Sequence, residues 1–135
     1  MGDELAKPLI DTLSSLRWSF DLVVPTPIGP SRKRERGYNQ AALLARPIAL
    51  YFGKAYAPHA LEKQRDTRTQ VGLTYDQRWT NVQDAFVAHR EVVAGKQILL
   101  VDDVTTSGAT LNFCAQALLD GGAGKAYCLT LARAI

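Results

Sequence analysis

Apolar residues at Leu5, Leu9, Ile10, Leu13 and Leu16 recur three and four positions apart, the spacing of one helix face. The pattern predicts a helix over residues 4–16, starting late or bending at Pro8, which has no N–H to offer the carbonyl of Glu4. Residues 21–24 (DLVV) read as a short buried strand stopped by Pro25 and Pro27. A polar stretch, PIGPSRKRERGYNQ, follows. Helical spacing returns over residues 40–51, with Asn39 as a cap, Gly53 as a stop and Pro47 as a bend. Residues 54–61 form a candidate second strand, weakened by Pro58. Residues 62–81 are polar and aperiodic, which fits a loop or arm with a short helix near 75–81. Residues 85–88 read as a strand, and Gly95 and Lys96 as a turn.

The carboxyl-terminal third has the clearest pattern. Residues 97–101 (QILLV) are a continuous apolar run, the mark of a strand covered on both faces of a parallel sheet. Leu111, Ala115, Leu118 and Leu119 make one helical stripe, ended by Gly121, Gly122 and Gly124. Residues 126–132 are a last strand. Strand, helix and strand form a βαβ unit with an expected right-handed crossover. The class is α/β.

A length of 135 residues with 47% hydrophobic and 21% charged residues suits one ordinary globular domain, residues 1–135. No apolar run approaches the ~18 residues of a membrane span. The longest, residues 41–52, is interrupted by Arg46 and Pro47. The first residues resemble neither a signal peptide nor a myristoylation site, so a cytoplasmic protein with no membrane partner is expected. Two cysteines exclude a disulfide framework. Cys114 and Cys128 read as buried small hydrophobes, and His59 and His89 as structural or surface residues. Trp18 and Trp79 read as core or docking residues rather than a stacking platform.

Charge changes the picture. Between Arg32 and Arg68 nine basic residues face three acidic ones, a net +6, while the rest of the chain carries −3. An excess of this size fits either an anionic partner or a solvated basic face.

The richest chemistry lies in QILLVDDVTTSGAT, residues 97–110. A buried strand runs into two carboxylates, and a loop of small hydroxyl residues then opens a helix. A helix start offers unpaired N–H groups and a partial positive charge to a phosphate. Small residues let the backbone curl around it, and the hydroxyls add donors. Asp102 and Asp103 are acceptors suited to adjacent ribose hydroxyls, or to waters on Mg²⁺. A ribose 5-phosphate has all of these parts. The segment lacks the G-x-x-x-x-G-K-[ST] of a Walker A loop and the G-x-S-x-G of a hydrolase elbow. Too little chain follows for a response-regulator receiver, whose acidic pair opens its domain.

VDDVTTSGAT resembles the phosphoribosyl pyrophosphate motif of type I phosphoribosyltransferases. With VPTPIGPSRKRERGYNQA, RDTRTQVGL, Arg78, Asn81 and the Ala-Phe at 85–86, the chain resembles the ComF family of competence-associated proteins over residues 5–133. The family usually carries a cysteine-rich zinc module ahead of this domain, and this sequence shows none. The resemblance implies a type I phosphoribosyltransferase-like fold, a mostly parallel sheet flanked by helices. It implies a phosphoribosyltransferase (a pentosyltransferase) that binds phosphoribosyl pyrophosphate with Mg²⁺, has an unassigned acceptor, and is associated with DNA uptake. Asp102 and Asp103 would position the ribose, with Mg²⁺ held through substrate and waters rather than directly. Thr105, Thr106, Ser107, Gly108, Ala109 and Thr110 would bind the 5-phosphate, in a loop spanning 102–110. Arg32, Arg36, Gly37, Asn39 and Gln40 would bind pyrophosphate. A flexible loop at about 62–82 would bring Arg65 and Arg68, with Gln70, Arg78 and Asn81, over the reaction as a mobile lid. Arg36, Arg65 and Arg68 join the acidic pair as the expected catalytic set. The competing expectation is a non-catalytic module that binds single-stranded DNA or a competence helicase.

Overall fold

The structure, a computed structural model, describes residues 2–16, 18–28, 40–63, 86–105 and 109–133. Its elements run α1 (Gly2–Leu16), β1 (Leu22–Pro25), α2 (Gln40–Phe52), β2 (Ala55–Tyr56), β3 (Leu61–Lys63), β4 (Phe86–Ala88), α3 (Arg90–Val93), β5 (Gln97–Thr105), α4 (Ala109–Asp120) and β6 (Lys125–Arg133). The main sheet is parallel, in the order β2-β1-β5-β6. β3 and β4 form a separate antiparallel pair.

The apolar run of β5 is continuous because both of its faces are covered. Side chains alternate along a strand. Leu99 and Val101 join Val23, Leu129 and the buried residues of α1 and α2, including Leu9, Leu13, Leu44 and Ile48. Ile98 and Leu100 join Leu22, Val24, Cys114 and Leu118 of α4, with Leu61 and Phe86 of the hairpin. β1 and β5 start together, since the Asp21 N–H donates to the Gln97 carbonyl at 2.7 Å and the Gln97 N–H to Asp21 Oδ2 at 2.8 Å. Trp18 serves the core, stacked on Tyr127 with ring centroids 4.8 Å apart.

Several expectations are corrected. α1 continues through Pro8, which sits on its exposed side, away from the buried stripe of Ala6, Leu9 and Leu13. Residues 54–61 are not one strand. They split at Pro58 into β2 of the main sheet and β3 of the hairpin, because a proline ring interrupts ladder bonding. α3 is too short to leave a periodic signature. The α4 stripe faces the core through Cys114 and Leu118, leaving Leu119 44% exposed. Cys128 is exposed rather than buried, on β6, the last strand of the sheet among the described residues. His89 lies at the surface, as expected, with its Nε2 3.3 Å from Glu62 and its Nδ1 3.6 Å from Glu91. The short helix expected near 75–81, and Trp79, lie outside the described residues.

Gly53 ends α2 as expected, at φ +66°. There the Lys54 N–H reaches back to the Ala49 carbonyl at 2.9 Å. A Cβ at Gly53 would meet nothing within 4 Å. Gly53→Ala is therefore expected to cost only the left-handed backbone penalty, roughly 1 kcal/mol. Urea unfolding checks this, and an unchanged midpoint would remove the conformational argument.

Candidate functional site

The sheet order determines where a ligand can enter. From β1 the chain passes through α2 to β2 on one side, and from β5 through α4 to β6 on the other. The order reverses between β1 and β5, and in open α/β sheets ligands occupy the crevice beyond the carboxyl ends of the strands at such a switch point. Two segments leave the sheet there: the one after β1, which leads through the basic stretch to α2, and the one after β5, which leads to α4. Both helices run back from that edge, so both present their amino-terminal, partially positive ends to it.

The acidic pair lies at this edge. β5 does not stop before it, as the sequence suggested. Asp102 pairs with Thr130, and the ladder to β6 continues to Thr105↔Arg133. On the other side the register with β1 ends at Pro25↔Val101. β5 thus projects past β1, and Asp102 and Asp103 stand where that neighbour has ended. Asp102 is buried and Asp103 half-buried.

Asp102 is held by two donors to a single oxygen. The Thr26 hydroxyl donates to Oδ1 at 2.8 Å, and the Asp103 N–H donates to the same atom at 2.9 Å. Burial pushes the Asp102 carboxyl up to about 6, opposed by the Thr26 hydrogen bond and reinforced by the neighbouring Asp103 carboxyl. A carboxyl raised in this way while hydrogen-bonded has the character of a functional group rather than a solvated surface acid.

The other expected site residues divide by location. Gln40 is the first residue of α2 and is exposed, so it stands at the ligand edge. Thr105 ends β5, Ala109 opens α4, and Thr110 follows it half-buried. Thr106, Ser107 and Gly108 lie outside the described residues, as do Arg32, Arg36, Gly37 and Asn39. So do Arg65, Arg68, Gln70, Arg78 and Asn81. Glu62 and Lys63, placed by the sequence in the lid, belong to β3. A cleft of about 350 Å³ opens beside the end of β1 and the hairpin, lined by Pro25, Pro27, Ile28, Leu61, Glu62 and Lys63 among others. Its lining includes the prolines on either side of Thr26 but not the acidic pair, so strand topology and the buried carboxylate locate the site better than cleft size does. No group of three or more His, Cys, Asp or Glu among the described residues could hold a metal ion directly. No described helix is long and apolar enough to cross a membrane.

Sequence reasoning missed Thr26. Its signal is the Pro-Thr-Pro at the end of β1, one hydroxyl between two residues that cannot donate a backbone bond.

Comparison with known proteins agrees with this geometry. No family model matches the chain. It is 36% identical over 111 residues to DNA utilization protein YhgH of Salmonella typhi, covering 81% of this chain and 48% of that protein. It is 31% identical over 116 residues to competence protein F of Haemophilus influenzae, covering 84% and 51%. The chain thus spans about half the length of the curated relatives it matches. Its fold is similar to that of adenine phosphoribosyltransferase from Thermoanaerobacter pseudethanolicus, with a TM-score of 0.60 and 18% identity over 98% of this chain and 80% of that one. At that identity the likeness shows the fold alone. The relatives named as competence proteins, together with a type I phosphoribosyltransferase-like fold whose strand order reverses between β1 and β5, are consistent with a ComF-family domain.

Proposed function

We propose that this domain binds phosphoribosyl pyrophosphate with Mg²⁺ and transfers the ribosyl 5-phosphate to an acceptor nucleophile, releasing pyrophosphate, as part of DNA uptake. The observation that carries this reading is the buried, hydrogen-bonded Asp102 beside Asp103 at the switch-point edge of the sheet. Carboxylates there accept hydrogen bonds from the two ribose hydroxyls, which orients C1. The segment from Thr105 to Thr110 would hold the 5-phosphate against the start of α4. Arg32, Arg36, Gly37, Asn39 and Gln40 would hold the diphosphate, with Arg65 and Arg68 joining as the lid closes.

In this reading the rate comes from position and electrostatics. As C1 gains oxocarbenium character, the acidic pair faces the growing positive charge while the basic segments stabilise the departing pyrophosphate. Two adjacent carboxylates supply hard oxygens suited to the waters of an Mg²⁺ ion that the diphosphate would carry. When bound, Mg²⁺ would neutralise diphosphate charge.

A second reading is favoured by the +6 segment and by the name DNA utilization protein borne by relatives. In it the domain binds single-stranded DNA, or a competence helicase, without transfer. Calorimetry separates the two. Asp103→Asn should weaken phosphoribosyl pyrophosphate binding roughly ten- to a hundredfold, the value of one charged hydrogen bond, and leave affinity for a DNA oligomer unchanged. Wild-type protein that binds the oligomer but neither phosphoribosyl pyrophosphate nor ribose 5-phosphate, with or without Mg²⁺, would overturn the transferase reading.

A further inference from the structure

We infer that Thr26 is a positioning residue for ribose-phosphate recognition, its hydroxyl holding Oδ1 of Asp102 so that the second carboxylate oxygen is the one presented to the sugar. The inference deepens the transferase reading and rests on it.

The local sequence prepares this residue. Pro27 confines Thr26 to extended backbone, and Pro25 similarly confines Val24. Within Pro-Thr-Pro only Thr26 has a backbone N–H, and it donates to the Val101 carbonyl at 2.9 Å. That bond carries the β1–β5 register one step past Pro25↔Val101 and places Thr26 beside Asp102. Threonine is stiff at χ1, so a fixed backbone gives the hydroxyl a fixed direction. Thr26 is 3% exposed, which shields its 2.8 Å bond to Asp102 from competing water.

The geometry distinguishes the two carboxylate oxygens. Oδ1 accepts from both Thr26 and the Asp103 N–H. Neither of these two donors reaches Oδ2, the oxygen that in this proposal meets a ribose hydroxyl. Without the Thr26 hydroxyl the carboxylate is anchored by one donor and is free to turn. Thr26 also stands immediately before the chain that leads to the basic segment, so one hydroxyl links the start of the proposed pyrophosphate loop to the ribose end of the site.

The test compares binding of phosphoribosyl pyrophosphate, ribose 5-phosphate and inorganic pyrophosphate, each with Mg²⁺, by calorimetry. The proteins are wild type, Thr26→Val and Thr26→Ser. Val keeps the shape and removes the hydroxyl, and Ser keeps the hydroxyl. Val should bind both ribose ligands roughly tenfold more weakly, the value of one hydrogen bond to a charged group, with pyrophosphate affinity unchanged. Ser should recover most of the loss. A general structural defect would weaken all three ligands and would not be rescued by Ser. If Val fails to fold, Thr26→Ala against Thr26→Ser repeats the comparison. Hydroxyl-free variants that bind the ribose ligands as wild type does, or that lose pyrophosphate equally, overturn the inference alone. A wild type that binds no ribose ligand overturns the transferase reading and this inference with it.

Discussion

Asp102→Asn is expected to stabilise the protein at neutral pH while abolishing most of its ribose-phosphate affinity. The folded-state carboxyl is pushed up to about 6 from an ordinary value of 3.8, mainly by burial. The fold therefore favours the protonated acid. Its contribution to stability is fully present below pH 3.8 and is lost as pH rises through about 6. Asparagine avoids that loss. Its carbonyl oxygen can accept from both the Thr26 hydroxyl and the Asp103 N–H, so the local bonding survives. Relative to wild type, the variant should gain stability between pH 4 and pH 7 by up to roughly 2–3 kcal/mol, with solvent access and coupling to Asp103 lowering that figure. Urea unfolding across this range reads the effect directly. Parallel stability curves for the two proteins would show that Asp102 is not held against its charge. Opposed changes in stability and binding would mark an acid retained for function at the expense of the fold.

The largest loss of stability should come from Leu99→Ala. Leu99 is fully buried on β5, a strand paired on both sides, among residues of β1 and the helices α1 and α2. Removing its branched end leaves a cavity that a parallel sheet with helices on both faces cannot easily close. The expected cost is about 2–5 kcal/mol, against a total stability of about 5–15 kcal/mol for a domain of this kind. Leu119→Ala is the control. That leucine is 44% exposed on α4 and should change stability by no more than about 0.5 kcal/mol. The two residues look alike in a hydrophobic pattern, and chemical denaturation should separate them. Similar losses at both would place Leu119 in the core and contradict the observed burial.

The local reading succeeded where one force dominates. The run 97–101 gathers apolar residues because both faces of β5 are covered there, and that burial is visible as a lack of alternation. Gly53 and Gly122, both at positive φ, mark helix ends because backbone conformation at a stop is a local matter. The acid pair was legible as two carboxylates adjoining a buried apolar run, although β5 carries them within its length rather than after its end. Where packing decides, the pattern was ambiguous. Leu119 belongs to the helical stripe but is 44% exposed, and Cys128 lies in an apolar strand but is exposed. Which side of an element is covered depends on what arrives from elsewhere in the chain.

By itself, then, the sequence determined the α/β class, the main strands and helices, and the chemical character of Asp102 and Asp103. Tertiary structure alone decided that β1 and β5 are neighbours at the point where strand order reverses, which places the end of β1 and the acidic pair on one edge. It also decided that Thr26 meets Asp102 across 76 residues of sequence. The physical reason is that strand adjacency is a long-range choice made by burial on both sheet faces, and no local propensity records it. Periodicity shows which residues need covering, and only the assembled sheet shows which side chains then stand at its open end.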